Sequence, residues 1–448
     1  MEYDLVNILI LMFLLTYAHR ANCGPEITDD EKAAIENGLA VGSALAEALK
    51  EGAFTDALVK LGTNIAPFLG ILGPLASILL LFIPGGDSEE LIFMREEFEQ
   101  VNVKLDKITA EFAEVKKAID WSTVVGSYGP YERKIRAAVE NLNQIYRVQR
   151  KAREDQKANF IIQYESDFDN SVQKLYDVMV DNDHVISDNI LQAVAQHTKN
   201  NKREFEQFSL GLVQILIQGI KVKVSYYALK EWATDHLVTQ WETKMIKLRD
   251  TLQTVSDVVK SLYLSQMRLD TKDLILNHHG LGNQGLANKL YNFVTEKYDW
   301  RFWSVTVYDD MGGFDKHNMW QHGGTIFLHE HDKNIIIASQ SKKHASSFNI
   351  NNADKLLEKV EKDVTSHYCL ILPDRAYAMV NSMKRISGVG NNYRPYALRL
   401  AFQYEKNLGY KGLESHASGR FIVRQMYCCI LTPYCNKVVW KYFMILFG

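Results

Sequence analysis

The chain has 448 residues, with 51 basic and 54 acidic side chains and a formal net charge of −3. That length allows two or three domains with a sizeable core, and the near balance of charge leaves no basic footprint for nucleic acid. Hydrophobic residues at 47% and only 8 prolines exclude a disordered chain, and five cysteines in this length exclude a small disulfide-stapled scaffold.

Leu5 to Leu15 (LVNILILMFLL) carries no charge and is too short to span a bilayer. It fits the apolar core of a secretion signal, although Glu2 and Asp4 stand where a positive flank is usual. Small residues at Ala21 and Cys23 allow cleavage after residue 23, and Thr16 and Ala18 allow it after residue 18 with a short propeptide ending at Arg20. The expected division is therefore a signal at 1–23, a helical domain at 24–280 and a β-rich domain at 281–448.

From Pro25 to about Leu276 the apolar spacing is helical. Ile27-Thr28-Asp29-Asp30-Glu31 opens a helix, with acidic side chains at its positive dipole end. Next, Leu61 to Gly86 contains no charged residue. Inside it, Ile65, Pro67, Phe68, Leu69, Gly70, Ile71, Leu72, Gly73, Pro74, Leu75, Ile78, Leu79, Leu80, Leu81, Phe82 and Ile83 belong to a stretch of nineteen residues, close to a bilayer span. A surface apolar all round must be buried in protein or in lipid. Three readings fit it: a constitutive anchor, a core helix of a soluble bundle, or a helix buried in water and inserted into a target membrane.

After a break at Pro84-Gly85-Gly86, residues Leu91, Met94, Phe98, Val101, Leu105, Ile108, Phe112, Val115 and Ile119 alternate steps of three and four. Four heptads with charged flanks want another helix against the seam, within a bundle or between molecules. Further helices are expected over 128–158, 163–182, 185–205, 207–230 and 232–276, with breaks at Gly126, Gly129-Pro130 and Asp181-Asn182-Asp183. Phe208 to Ile220 is again uncharged and suits a second inner helix or a partner in an inserted state.

Beyond Gly282 the periodicity becomes two. Trp303–Tyr308, Thr325–Glu330, Ile335–Ala338, Tyr368–Leu372, Tyr396–Phe402, Phe421–Val423 and Tyr427–Leu431 are expected strands, with one helix at Asn352–Val364. The apolar tail Val438–Phe447 suits a final core strand. Trp300, Trp303 and Trp320 with Phe302, Tyr308 and Phe314 suit core packing or an interfacial surface. Cys369, Cys428, Cys429 and Cys435 are candidates for one or two disulfides in three connectivities.

His329-Glu330-His331 and His278-His279 lack further ligands at metal-site spacing and suit solvated turns. The chain contains no GxSxG, P-loop or HExxH motif, so no catalysis, metal or cofactor is expected.

The run PFLGILGPLASILLLFIPGGDS (67–88), continued by EELIFMREEFEQVNVKLDKI, resembles the cnidarian pore-forming toxin family of box jellyfish. Beyond these residues the resemblance is weaker and extends through the helical half to about residue 276. It implies a secreted cytolysin or haemolysin, stored in stinging capsules, whose helical half is similar to the pore-forming domain of three-domain insecticidal crystal toxins. It further implies that residues 65–83 insert into target-cell lipid and that copies self-associate in the membrane. The expected architecture is α+β in two domains: a multi-helix bundle with an inner apolar helix, then a β-rich domain engaging lipid or a surface receptor. The alternative is a secreted, non-lytic interaction protein with a stable bundle.

Overall fold

The protein is described from a computed structural model. It describes residues 29–51, 53–80, 122–148, 152–168, 170–181, 189–312, 316–321, 324–342, 349–367, 375–386, 397–403, 408–412, 420–432 and 435–448. The signal segment, the seam from Leu91 to Ile119, residues Leu81 to Ile83, the Tyr368–Leu372 run, Phe314 and Cys369 lie outside the described residues.

The chain is α+β and divides into two compact units, Met1–Lys260 and Ser261–Gly448. In the first unit the described helices are α1 (Asp29–Lys50), α2 (Phe54–Leu80), α3 (Ser122–Arg147), α4 (Arg153–Gln163), α5 (Ser171–Val180), α6 (Ile190–His197), α7 (Lys202–Leu229) and α8 (Asp235–Ser261). One hydrophobic core joins them, with α7 packed against α2, α3, α5 and α6.

Local chemistry sets where these helices start and stop. Lys199 and Asn200 take left-handed φ of 49° and 55°, which turns the chain sharply after α6. Asn201 then caps α7: its side-chain oxygen accepts from the Glu204 amide at 3.4 Å, and its amide donates to the Glu204 carboxylate at 2.8 Å. The expected break at Gly126 and Gly129-Pro130 does not occur, because α3 runs through it. A proline ring crowds the carbonyl four residues back, and here that carbonyl belongs to Gly126, whose bare backbone can tilt away. The expected end at residue 158 falls instead at Arg147. A π-turn over Tyr164–Phe168 follows α4, where one continuous helix was expected.

In the second unit α9 (Tyr263–His278) and α10 (Asn283–Lys297) precede two four-stranded antiparallel sheets. The first has the order β3 (Ile326–Glu330), β4 (Lys333–Ser341), β1 (Arg301–Asp309), β6 (Leu408–Gly412). The second has the order β2 (His317–Gln321), β5 (Leu398–Gln403), β8 (Cys435–Phe447), β7 (Phe421–Thr432). Helices α11 (Ile350–His367) and α12 (Arg375–Ile386) intervene between β4 and β5.

The period of two explains the layering. Val305, Val307, Ile335 and Ile337 join Leu286, Leu290 and Val294 of α10, while Tyr308, Ile336 and Ala338 face the other sheet at Leu398, Leu400, Phe402, Ile445 and Phe447. Ala401, Met444 and Leu446 point the opposite way, onto α11 and α12. The unit is thus a sandwich of two sheets covered by helices on both outer faces. The apolar tail is explained by this: β8 lies between β5 and β7, with both faces buried over 442–447 except at the half-buried Phe443. His331 and Asp332, at φ 52° and 56°, form the two-residue turn joining β3 to β4.

Helical periodicity persists to residue 297 because α9 and α10 form a layer of the sandwich. The compact units divide at 260/261. The aromatic residues expected to cluster separate into different cores: Trp303 and Trp300 pack with α10 and β1, and Trp320 packs against α11 and α12. Their arrangement is that of core packing, not one interfacial surface.

A polar knot ties α9 to α10. The buried Asp270 carboxylate accepts from Lys297 at 2.5 Å, from Tyr298 at 3.1 Å and from Gln266 at 2.9 Å. Burial first, then the neighbouring Asp270 charge, raises the Tyr298 phenol well above its ordinary range, so its proton stays available to donate. Asp270→Ala is expected to destabilise the second unit by about 3–5 kcal/mol in chemical denaturation of the whole chain, since it strands the Lys297 ammonium in a nearly closed site. A loss below about 1 kcal/mol would show that Lys297 reaches water.

Candidate membrane-inserting helices

Two described helices are long and apolar enough to cross a membrane: the Phe54–Pro74 part of α2 and the whole of α7. Length and composition alone say this; a soluble core helix passes the same test.

Of the residues expected to insert, Ile65, Phe68, Leu69, Ile71 and Leu72 are buried in the helical core. Pro67, Gly70 and Pro74 lie exposed on the opposite side. Both prolines sit inside the helix rather than interrupting it. They are seven residues apart, so their missing N–H groups fall on one exposed side, where a lost hydrogen bond costs least. The side chains of Leu75 and of Ile78, Leu79 and Leu80 lie outside the described residues.

Glycines bring α1 close to α2. A Cβ on Gly38 would lie 2.5 Å from Cγ2 of Ile71, and one on Gly42 would lie 2.5 Å from the Phe68 ring. At the far end of α2, a Cβ on Gly73 would lie 3.3 Å from Cβ of Thr234, whose carbonyl accepts from the Leu237 and Val238 amides in the first turn of α8.

Helix α7 is the innermost element. From Phe208 to Val222 every residue is buried. It was expected as an apolar inner helix, yet Gln214, Gln218, Lys221 and Ser225 are among its buried residues, at 0%, 4%, 3% and 1% exposure. The signal was present in the sequence as spacings of four, three and four, but it crosses the end of the uncharged run at Lys221.

Sequence reasoning also missed a surface recess of about 290 Å³ beside the π-turn, lined by Tyr164, Glu165, Phe168, Asn170, Lys223, Tyr226 and Tyr227 among others. The Tyr164 and Tyr226 rings stack at 3.8 Å. The Glu165 carboxylate accepts from the Tyr226 hydroxyl at 2.7 Å and from the Lys230 ammonium at 3.1 Å, and these two bonds hold the Glu165 carboxyl below its ordinary range.

The side chains of Cys428, Cys429 and Cys435 lie outside the described residues, but the backbone register bears on them. Cys435 pairs with Thr432, and Cys429 with Val439. His279 stacks on His331 at 4.9 Å, and among the described residues no group of three ligating side chains gathers.

Residues 84–280 match the family model described as the cephalotoxin-like middle helical domain. The chain is 19% identical over 280 residues to SE-cephalotoxin of Acanthosepion esculentum, covering 60% of this chain and 26% of that protein. It is 23% identical over 192 residues to Protein rapunzel of Danio rerio, covering 43% of this chain and 83% of that protein. The chain thus spans about a quarter of the length of the cephalotoxin. No solved structure matches it. The matched region begins after α2 and contains α7. What these matches share with the chain is helical sequence in its middle, and none of them is to a box-jellyfish toxin. Over its middle, this chain is similar to cephalotoxin-like helical proteins.

Proposed function

We propose that this is a secreted, membrane-inserting cytolysin whose helical unit opens on a target membrane. The apolar stretch of α2 then enters lipid with its packed neighbour α7, and several copies assemble around a conducting path. The observation that supports this best is the pair itself: two bilayer-length apolar helices lie against each other in one core, α7 within the cephalotoxin-like region.

The energetics allow the exchange. Nineteen helical residues span about 28 Å, close to the roughly 30 Å of a hydrocarbon core. Apolar area removed from water gains about 25 cal/mol per Å², and the gain is similar whether protein or lipid covers it. The balance is then set by what must be parted, chiefly the contacts of α2 with α1 and α7. The β-sandwich unit serves as the surface-binding part, toward lipid or a receptor. The action needs no catalysis and no cofactor, and nucleic acid is not a partner.

The purified protein is expected to release dye from vesicles of phosphatidylcholine, sphingomyelin and cholesterol and to produce stepwise conductance in a planar bilayer. Absence of both, with the protein folded and bound to the vesicles, would overturn the reading. The match to Protein rapunzel favours a second one, since that relative bears no toxin in its name. In that reading the bundle stays closed and the sandwich binds a protein partner.

A further inference from the structure

Helix α7 carries a polar face that an inner core helix does not need. At 100° per residue, Arg203, Gln207, Gly211, Gln214, Gln218, Lys221 and Ser225 fall within an arc of about 80°. Through those six turns no apolar residue enters the arc. The rest of the circumference from Phe208 to Val224 is apolar except for Ser209, Gly219 and Lys223. Yet from Gly211 to Ser225 the arc is buried as completely as the apolar sides.

Burying amides and an ammonium costs free energy unless every polar group is satisfied, and well-packed apolar residues of like volume serve a soluble core at least as well. A continuous polar arc on a helix is what contact with water along its whole length requires. In the closed bundle the arc from Gln214 to Ser225 is shut off from bulk solvent. A second arrangement, in which the same arc meets water and the remaining sides meet lipid, uses both faces.

We propose that this arc of α7 lines the aqueous lumen of the inserted assembly, and that Lys221 makes the lumen prefer small anions. The proposal rests on the membrane-inserting reading above and adds which helix forms the wall and which ion passes. Turning Lys221 to the lumen removes it from the lipid side. The uncharged lipid-facing surface then runs from Phe208 to Val222, about 22 Å of helix. Lys223, on the opposite side, can extend its stem to the headgroups. Copies arranged about an axis set the Lys221 ammonium groups in a ring, and a ring of positive side chains selects for anions.

The test uses the full chain on phosphatidylcholine–sphingomyelin–cholesterol membranes. Single cysteines replace Gln214, Gln218, Lys221 or Ser225 on the arc, and Val213, Leu216 or Ile217 off it. A charged methanethiosulfonate is applied before and after membrane binding, with the parent chain as the background. Arc positions are expected to label at least tenfold faster once bound, while off-arc positions stay protected. Under a tenfold KCl gradient the parent is expected to show an anion-selective reversal potential. Lys221→Glu reverses its sign, Lys221→Gln reduces it and Lys223→Glu leaves the sign unchanged. A conducting preparation with protected arc positions, or with unaltered selectivity in Lys221→Gln, overturns the lumen assignment alone. A preparation that neither conducts nor releases dye overturns the inserted state and this inference with it.

Discussion

Oxidised Gly73→Cys/Thr234→Cys protein is expected to lose at least tenfold in dye release and to recover it when reduced. A Cβ on Gly73 would stand 3.3 Å from Cβ of Thr234, a few tenths of an ångström from the 3.5–4.5 Å span of a disulfide. The bridge would tie α2, near the end of its apolar stretch, to the residue that caps α8. With that tie in place α2 cannot leave the bundle, whatever the membrane offers. This test is sharper than a charge placed on the stretch. Leu72→Asp would put a carboxylate where the side chain is 1% exposed, and the fold would fail before insertion could. The bridge leaves the closed form intact and acts only on the step in dispute. Full release from the oxidised form, with the bridge verified by mass spectrometry, would mean that α2 stays docked while the membrane is breached.

Long apolar periodicities were legible in the sequence, and features that depend on close approach were not. The apolar part of α2, the inner helix α7, the strands β1, β3 and β4 and the final strand β8 all follow from runs whose length and period admit few structures. The polar arc of α7 escaped because Phe208–Ile220 was weighed as one uncharged run, and Gln214 and Gln218 only align once Lys221 and Ser225 are placed on the same wheel. The short strand β6 (LGYKG) escaped for another reason. Two glycines in five residues suggest a turn, and nothing local says that a neighbouring backbone demands one of them. The same holds for β2, whose partner β5 lies almost eighty residues along the chain. The division at 260/261 was hidden because a helix of the sandwich layer and a helix of the bundle share one code.

That glycine in β6 gives the largest expected effect on stability. A Cβ on Gly409 would lie 2.1 Å from both the carbonyl carbon and the oxygen of Asn283 and 2.3 Å from the Gln284 nitrogen. These are backbone atoms in the first turn of α10, so no side-chain rotation relieves the clash. The Gln284 amide also donates to the Tyr410 carbonyl at 2.8 Å and accepts from the Tyr410 amide at 3.3 Å, taking the place of a strand on the edge of β6. Moving β6 away breaks both bonds and strains its ladder with β1, which runs from Ser304↔Gly412 to Tyr308↔Leu408. Gly409→Ala is therefore expected to destabilise the second unit by about 3 kcal/mol or more, comparable with severe core damage. For a unit of this size that lowers its melting transition by roughly 6–12 °C in calorimetry of the whole chain. Gly412→Ala is the comparison in the same strand. Its added Cβ comes nearest Phe421 Cγ, Cβ and Cδ1, at 2.8–3.0 Å, a milder approach than the 2.1–2.3 Å to helix backbone at Gly409. Equal melting of the two variants would show that α10 does not sit on β6 at Gly409, and the Gln284 bridge would go with it.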